Sequence, residues 1–306
     1  MQTPSTTSEL PLPIPTFSLY GEHQGWPTPD LIHCESIAER SRLHDWRIHP
    51  HRHSDLSHLL LLTSGEVELE LEGKRLSCQA PLMILVPALS VHGFTFSPGI
   101  QGHILTLAAP LLAHLRRELP EASRVWTRAG ATPLGTGGKR LVGLMGHIDA
   151  EYRRPARDRS VLLDALTKAL TVEAARAATP PSQRISGVKP DPGHVHLQRY
   201  QALVEQRFRQ QPRVSELATE ITVSAAHLNA LCRRLTGRGA QALMHERVLL
   251  EAKRELTYTN LTIAQVADGL GFSEPAYFSR FFKRLTGCSP KDFRQRQQRA
   301  APPPEV

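Results

Sequence analysis

The chain is short of cysteine and of long apolar runs, and each shortage excludes a class of protein. Its four cysteines, Cys34, Cys78, Cys232 and Cys288, lack metal-type spacing and sit in or beside apolar patterns. A disulfide framework and a cysteine zinc clip are thereby excluded, and the four are expected to be reduced packing residues. No stretch reaches the length of a membrane span, and the opening MQTPSTTSELPLPIPTF has neither a basic start nor an apolar segment. A cytoplasmic protein with no membrane partner is expected. Acidic charge is short in one half only. The whole chain has 37 Lys and Arg against 29 Asp and Glu, a net of +8, of which 17 against 10 (+7) lie from His194 onward and 20 against 19 (+1) before it. A basic C-terminal half points to a polyanionic partner.

That half is organised around Leu261 to Arg294, LTIAQVADGLGFSEPAYFSRFFKRLTGCSPKDFR. Thr262 is a cap for a short helix over Ile263 to Gly269, whose Ile263, Val266, Ala267 and Leu270 fall at helical spacing. Gly271 breaks the chain, small Ala267 admits a crossing helix, and Phe272 plugs the corner. Ser273 is expected to cap the second helix, with Glu274 and Pro275 in its first turn. Phe278, Phe281, Phe282 and Leu285 form its apolar stripe, and Ser279, Arg280, Lys283 and Arg284 its outer face. Two short helices joined by a glycine turn, the second cationic outside, are the geometry that enters a major groove.

A second copy precedes it. Val214 to Gly237 places Leu217, Ala218 and Ile221 on a first helix, and Ser224 caps a second that buries Leu228, Leu231 and Leu235. CRRLTG and FKRLTG recur 50 residues apart while Ser224 and Ser273 are 49 apart, so the second turn is one residue longer. A helix over Gln241 to Leu256 spaces the two units.

AxxxGFxxxxYFxRxFKRxxGxSPxxFR, as it stands from Ala267 to Arg294, resembles the signature of the AraC/XylS family of transcription regulators. The resemblance implies two helix-turn-helix units on successive major-groove segments of double-stranded operator DNA, with RNA polymerase as a further partner and activation as the usual outcome. Carried over by position, the base-facing residues are Ala226, Asn229 and Ala230 in the first unit and Pro275, Ala276, Ser279 and Arg280 in the second, with Arg233, Arg234, Lys283 and Arg284 beside them. Ala230 stands where arginine is frequent, which points the first unit toward thymine methyls or shape.

The first half is punctuated differently. Residues 1–14 form a Pro, Ser and Thr-rich arm. His33 to Glu39, Trp46 to Ile48, Leu59 to Leu62, Val67 to Leu71, Leu82 to Val86, His92 to Phe96 and His103 to Leu107 read as strands over a region spanning 15–110. Many short strands argue for a sandwich or barrel. His51, His53, His58 and Gly65, then Pro87 and His92, resemble the two motifs of the cupin barrel, with His58 where glutamate is usual and Leu89 where glycine is usual. Four imidazoles are able to hold Zn²⁺, Ni²⁺ or Fe²⁺. The reading adopted is nevertheless a ligand pocket without cofactor or metal, the histidines serving as its polar lining. Helices over Ala109 to Leu119, Lys139 to Tyr152 and Arg159 to Ala178 cover the barrel, and residues 111–178 include a leucine-rich homodimer contact. A proline-rich linker at 179–193 leads to the DNA-binding domain at 194–297 and a tail at 298–306.

The expected fold is α+β in two domains: an N-terminal cupin-like β-barrel with accessory helices, and a C-terminal all-α domain with two helix-turn-helix motifs. The run IPTFSLYGEHQGWPTPDLIHCESIAERSRLHDWRIHPHRH is similar to AraC-type regulators of 4-hydroxybenzoate catabolism, which implies an aromatic acid effector. Period-two alternation places Trp46 inside with His44 and Arg42, and the expected effector site is Arg42, Trp46, His51, Arg52, His53, His58 and His92. Arg52 lies between two histidines and points away unless the strand bulges after Pro50. No catalytic residue is assigned, and the chain is read as a non-enzyme. The alternative is a metal-dependent cupin isomerase or dioxygenase with a DNA-binding domain, its metal on His51, His53, His58 and His92.

Overall fold

A computed structural model describes residues 16–17, 31–135, 138–154, 157–178 and 192–300. The expected arm at 1–14, residues 179–191 of the linker and 301–306 of the tail lie outside the described residues. Among those described, ten strands form two five-stranded sheets, ordered β1-β3-β8-β5-β6 and β10-β7-β4-β9-β2. The strands are β1 Thr16–Phe17, β2 Ile32–Ser36, β3 Arg47–His53, β4 Leu56–Ser64, β5 Glu66–Leu71, β6 Lys74–Gln79, β7 Leu82–Val86, β8 His92–Phe96, β9 Gln101–Ala108 and β10 Gly130–Pro133. The cupin-like unit is therefore two facing sheets rather than a closed barrel.

Burial explains why the strands look so unlike in sequence. In β4, Leu60 and Leu62 belong to the core between the sheets, while Leu59 and Leu61 belong to a second core beneath the helices. In β7 the same alternation sends Leu82, Ile84 and Val86 inward and Met83 and Leu85 outward. A sheet covered on both faces has no polar side, hence the unbroken LLLL and LMILV runs. β5 and β6 have solvent on one face and alternate accordingly.

The covering helices are α2 Ala109–Glu118, α3 Gly138–Arg153 and α4 Arg159–Ala177. They bury Leu111, Leu112 and Leu115, then Leu141, Met145 and Ile148, then Leu163 and Leu170. The expected strand His33 to Glu39 is cut short. Ser36 accepts a hydrogen bond from the Glu39 backbone N–H (3.4 Å) and caps a helix, α1 Ile37–Arg42. β6 and β10 carry no expectation from sequence; β6 is the edge of its sheet and mostly polar.

The C-terminal half is all helix: α5 Pro192–Arg207, α6 Val214–Glu220, α7 Ala225–Thr236, α8 Ala240–Tyr258, α9 Ile263–Gly269, α10 Pro275–Thr286 and α11 Pro290–Ala300. One core holds them together, with Tyr200, Phe278 and Phe282 fully buried. Leu89, from the loop between β7 and β8, is 3 % exposed and belongs to this helical core rather than to its own sheets. It does so with φ +69°, the left-handed region where the cupin motif has glycine.

Candidate nucleic-acid interface and sensor site

The two helix-turn-helix units are built alike. Thr262 and Gln265 form a reciprocal capping box on α9, and Ser224 accepts from the His227 backbone N–H on α7. Ala218 and Ala267 are buried where the paired helices cross. Each second helix ends on a left-handed glycine, Gly237 or Gly287. The preceding threonine closes each end identically: Thr236 donates to the Cys232 carbonyl and Thr286 to the Phe282 carbonyl, both at 2.8 Å. Two details differ from the sequence reading. The N-cap of α10 is Glu274 rather than Ser273, because Pro275 takes the first helical position. Leu285, expected in the apolar stripe, is 41 % exposed.

Ala226, Ala230, Arg233 and Arg234 are exposed on α7, and Pro275, Ala276, Arg280, Lys283 and Arg284 on α10. Each second helix therefore has a cationic outward face. Arg280 lies over the ring of exposed Tyr277, 5.6 Å from its centroid, which holds the guanidinium off the helix. Tyr277 was not singled out from sequence. Asn229, expected to face the bases, is half-buried, and its side-chain oxygen accepts from the Ala240 backbone N–H (3.2 Å) at the start of α8. Ser279 donates to the Pro275 carbonyl (2.9 Å).

In the sensor half, β3 and β8 pair His51 with His92, with a register shift between Ile48 and His51. That bulge turns His51 and His53 inward and Arg52 outward, where its guanidinium donates to the Arg234 carbonyl of α7 (3.2 Å). His51, His53, His58 and His92 are all buried and gathered between the sheets. Burial lowers the pKa of His51, and lowers those of His58 and His92 further, helped by neighbouring imidazoles. Burial thus favours the neutral form of these three rings.

The rest of the expected effector site does not assemble. Arg42 ends α1 and is exposed, and exposed His44 follows it in a turn, so the alternation that placed both inside does not reach them. Trp46, at φ +61°, is half-buried against the edge of the core between the sheets. Arg40 and Ser41, unremarked in sequence, reach the space beside the histidines instead. That space has a volume of about 20 Å³, room for about one water.

A larger cleft of about 450 Å³ lies between the halves, lined from the sensor side by Leu56, Pro110, Arg116 and Trp126 and from the helical side by Tyr200 and Lys253 among others. Neither Arg116 nor Lys253 has an ion-pair partner among the described residues, and burial lowers the Lys253 pKa. Three hydrogen bonds cross nearby: Arg52 to Arg234, Gln201 to the Ser54 carbonyl (3.1 Å) and Arg238 to Ser54 Oγ (2.9 Å). The two halves are thus physically joined at the end of α7.

A two-sheet sensor fused to a double helix-turn-helix reader defines a ligand-responsive DNA-binding protein as the class. Comparison with known proteins narrows it. An AraC-like ligand-binding domain matches residues 33–133 and a helix-turn-helix domain matches residues 217–296. The chain belongs by these two domains to the AraC family of regulators. It is 33% identical over 81 residues to the arabinose operon regulatory protein of Escherichia coli strain K12, covering 26% of this chain and 28% of that one. It is 35% identical over 91 residues to an uncharacterised helix-turn-helix regulator of Staphylococcus aureus strain MSSA476, covering 30% and 12%. The C-terminal domain of a two-component response regulator of Fusobacterium nucleatum superposes with TM-score 0.30 and 25% identity, covering 31% of this chain and 93% of that domain. The chain thus spans under a third of the length of these curated relatives. Among the described residues, no helix is long and apolar enough to cross a membrane.

Proposed function

We propose that this chain is an effector-controlled transcription activator that binds operator DNA through α7 and α10 and contacts RNA polymerase there. The observation that carries the reading is the pair of exposed second helices, each cationic outside, with Arg280 held over Tyr277. A homodimer is part of the proposal, supported by Val142 on α3 and Val161 and Leu162 on α4, large apolar side chains that remain exposed on the covering helices.

The proposed effector is a small aromatic acid, with 4-hydroxybenzoate first in line from the sequence similarity. Its proposed seat is the cleft between the halves. A volume of about 450 Å³ lies within the roughly 300–1,000 Å³ of small-molecule sites, and the space among the histidines does not. Trp126 offers an aromatic wall, and Arg116 and Lys253 offer cations from opposite halves for one carboxylate. Calorimetry on the full chain is expected to show 4-hydroxybenzoate binding more tightly than benzoate, with Arg116→Ala and Lys253→Ala each weakening it by about tenfold or more. Absence of binding by every aromatic acid in a panel, or binding by both variants as tight as by the wild-type chain, defeats the effector assignment. Absence of any footprint on DNA flanking the gene defeats the regulator itself.

A further inference from the structure

The first helix-turn-helix unit opens on a residue that its own helix does not favour. Arg213 stands at the N-cap of α6, where its side chain makes no capping hydrogen bond, and a guanidinium has no acceptor with which to make one. Its positive charge also opposes the helix dipole. In the twin unit, 49 residues on, the same place is taken by Thr262, which closes a reciprocal capping box. We propose that the groove running from Arg213 past α8 to α10 seats the sugar-phosphate backbone of one operator strand, with Arg213 and Arg284 as its phosphate contacts. The proposal rests on the operator-binding reading above and adds to it a seat that spans both units.

The charge of the groove supports it. The groove has a volume of about 830 Å³ and draws its lining from three elements: Arg213 before α6, Gln241 and His245 on α8, and Tyr277, Arg280 and Arg284 on α10. No aspartate or glutamate lines it. Arg213, Arg280 and Arg284 are exposed, and none of them has an ion-pair partner among the described residues, not even Arg213 with Glu216 in the first turn of its helix. The fold therefore leaves this positive surface unneutralised, and a polyanion is its complement. His245 registers the same field: burial lowers its pKa, and the Arg284 charge beside it lowers it further.

The place of the groove selects the backbone rather than the bases. In a helix-turn-helix the second helix enters the major groove while the first crosses the backbone, and Arg213 opens the first helix of its unit. On α10 the two arginines are held by different rings. Arg280 lies over exposed Tyr277, whereas Arg284 lies over buried Phe281, 5.9 Å from its centroid. His245 meets the same Phe281 ring edge to face at 5.3 Å, so one buried aromatic sets Arg284 and His245 side by side. Because α8 spaces the two units, the strand between their two major-groove segments runs across it, where Gln241 offers an amide donor to phosphate oxygen.

Phosphate contacts position a protein on the duplex without reading its sequence. That suits the first unit, whose exposed Ala226 and Ala230 offer no hydrogen-bonding side chain to a base edge. A strand gripped by Arg213 and Arg284 is held from both units at once, which fixes the first unit in register while the second reads. The lost cap at Arg213 is thus a stability cost carried for binding.

The test uses the full chain and two duplexes, a fragment flanking its gene and one of scrambled sequence. Arg213→Thr, which restores the cap of the twin unit, is expected to raise the denaturant midpoint while it weakens binding to both duplexes by a similar factor of about tenfold. It should also flatten the slope of log affinity against log salt by about 0.9, the share of one phosphate contact. Arg284→Ala is expected to flatten the slope by a like amount, and Arg75→Ala, exposed on β6 of the sensor, to leave it unchanged. Opposite signs in stability and binding separate a phosphate contact from a merely structural role. Single neutral methylphosphonates placed between the two protected segments should cost the wild-type chain affinity at one position and cost Arg213→Thr none there. Wild-type affinity and salt slope in Arg213→Thr overturn the seat, as does a methylphosphonate scan in which both proteins lose alike at every position. Failure of the wild-type chain to bind either duplex removes the operator-binding reading and the seat together.

Discussion

The first helix-turn-helix unit, α6 with α7, and the second, α9 with α10, share caps, crossing alanines and glycine ends, yet they are held differently. The first is tied to the sensor: Arg52 holds the last turn of α7, and Arg238 reaches Ser54. Its Asn229 accepts from the Ala240 backbone N–H at the start of α8. The second makes its outward contacts with itself, Arg280 over Tyr277 and Arg284 over Phe281. One sequence motif therefore serves two purposes. On the proposed function, the second unit is the one whose side chains read DNA, and the first is the one that the sensor positions.

The turns offer the sharpest way to break this comparison. Gly271 has φ +77°, and a Cβ there would meet the Arg209 carbonyl oxygen at 2.0 Å. Gly271→Ala is expected to cost about 3 kcal/mol or more, read as a lowered denaturant midpoint, with loss of operator binding. A change below about 1 kcal/mol would show that the second turn tolerates what the geometry forbids. Next in size is Arg280→Ala, expected to cost about 1–3 kcal/mol of operator binding and to relax preference at one base pair, while Lys283→Ala weakens all sequences alike and flattens the salt dependence. A uniform loss from Arg280→Ala would remove the distinction between reading and positioning. Smallest is the first turn, where Thr222 stands at φ +61° in place of a glycine. Thr222→Gly is expected to raise stability by roughly 0.5–1 kcal/mol in chemical denaturation. Destabilisation there would mean that the threonine makes a contact worth more than its strain.

The helical half was nearly all legible in the sequence because its signals are local. Caps at Ser224 and Thr262, the spacing of Phe278, Phe281 and Phe282, and the break at Gly271 each act within a turn or two of chain. Leu285 failed because periodicity does not say where a core ends. The sensor was legible as strands but not as a site. Alternation carried Arg42 and His44 inward on a strand that begins only at Arg47, since the capping signal Ser36 to Glu39 starts a helix first. Alternation does place Arg52 opposite the two histidines and pointing away, as it is found; the register shift between Ile48 and His51, and the meeting of Arg52 with α7, have no signal in the pattern. The cleft holding Arg116 and Lys253 was beyond reach, because its walls lie 137 positions apart and meet only in three dimensions.

Leu89 anchors the junction between the halves at a cost in backbone strain. Burying a leucine contributes about 1.5–3 kcal/mol, and holding a non-glycine residue in the left-handed region costs roughly 1–2 kcal/mol, so opening the junction releases strain as it exposes the side chain. The net hold from this residue is on the order of 1 kcal/mol, within the range of about 1–3 kcal/mol that couples sites in allosteric proteins. A loop relaxed by glycine would dock without strain and without an anchor. Leu89→Gly should therefore shift the open fraction by severalfold, seen as faster amide exchange in α5 and altered operator affinity in the absence of effector, and unchanged exchange would mean that the anchor carries no part of the hold.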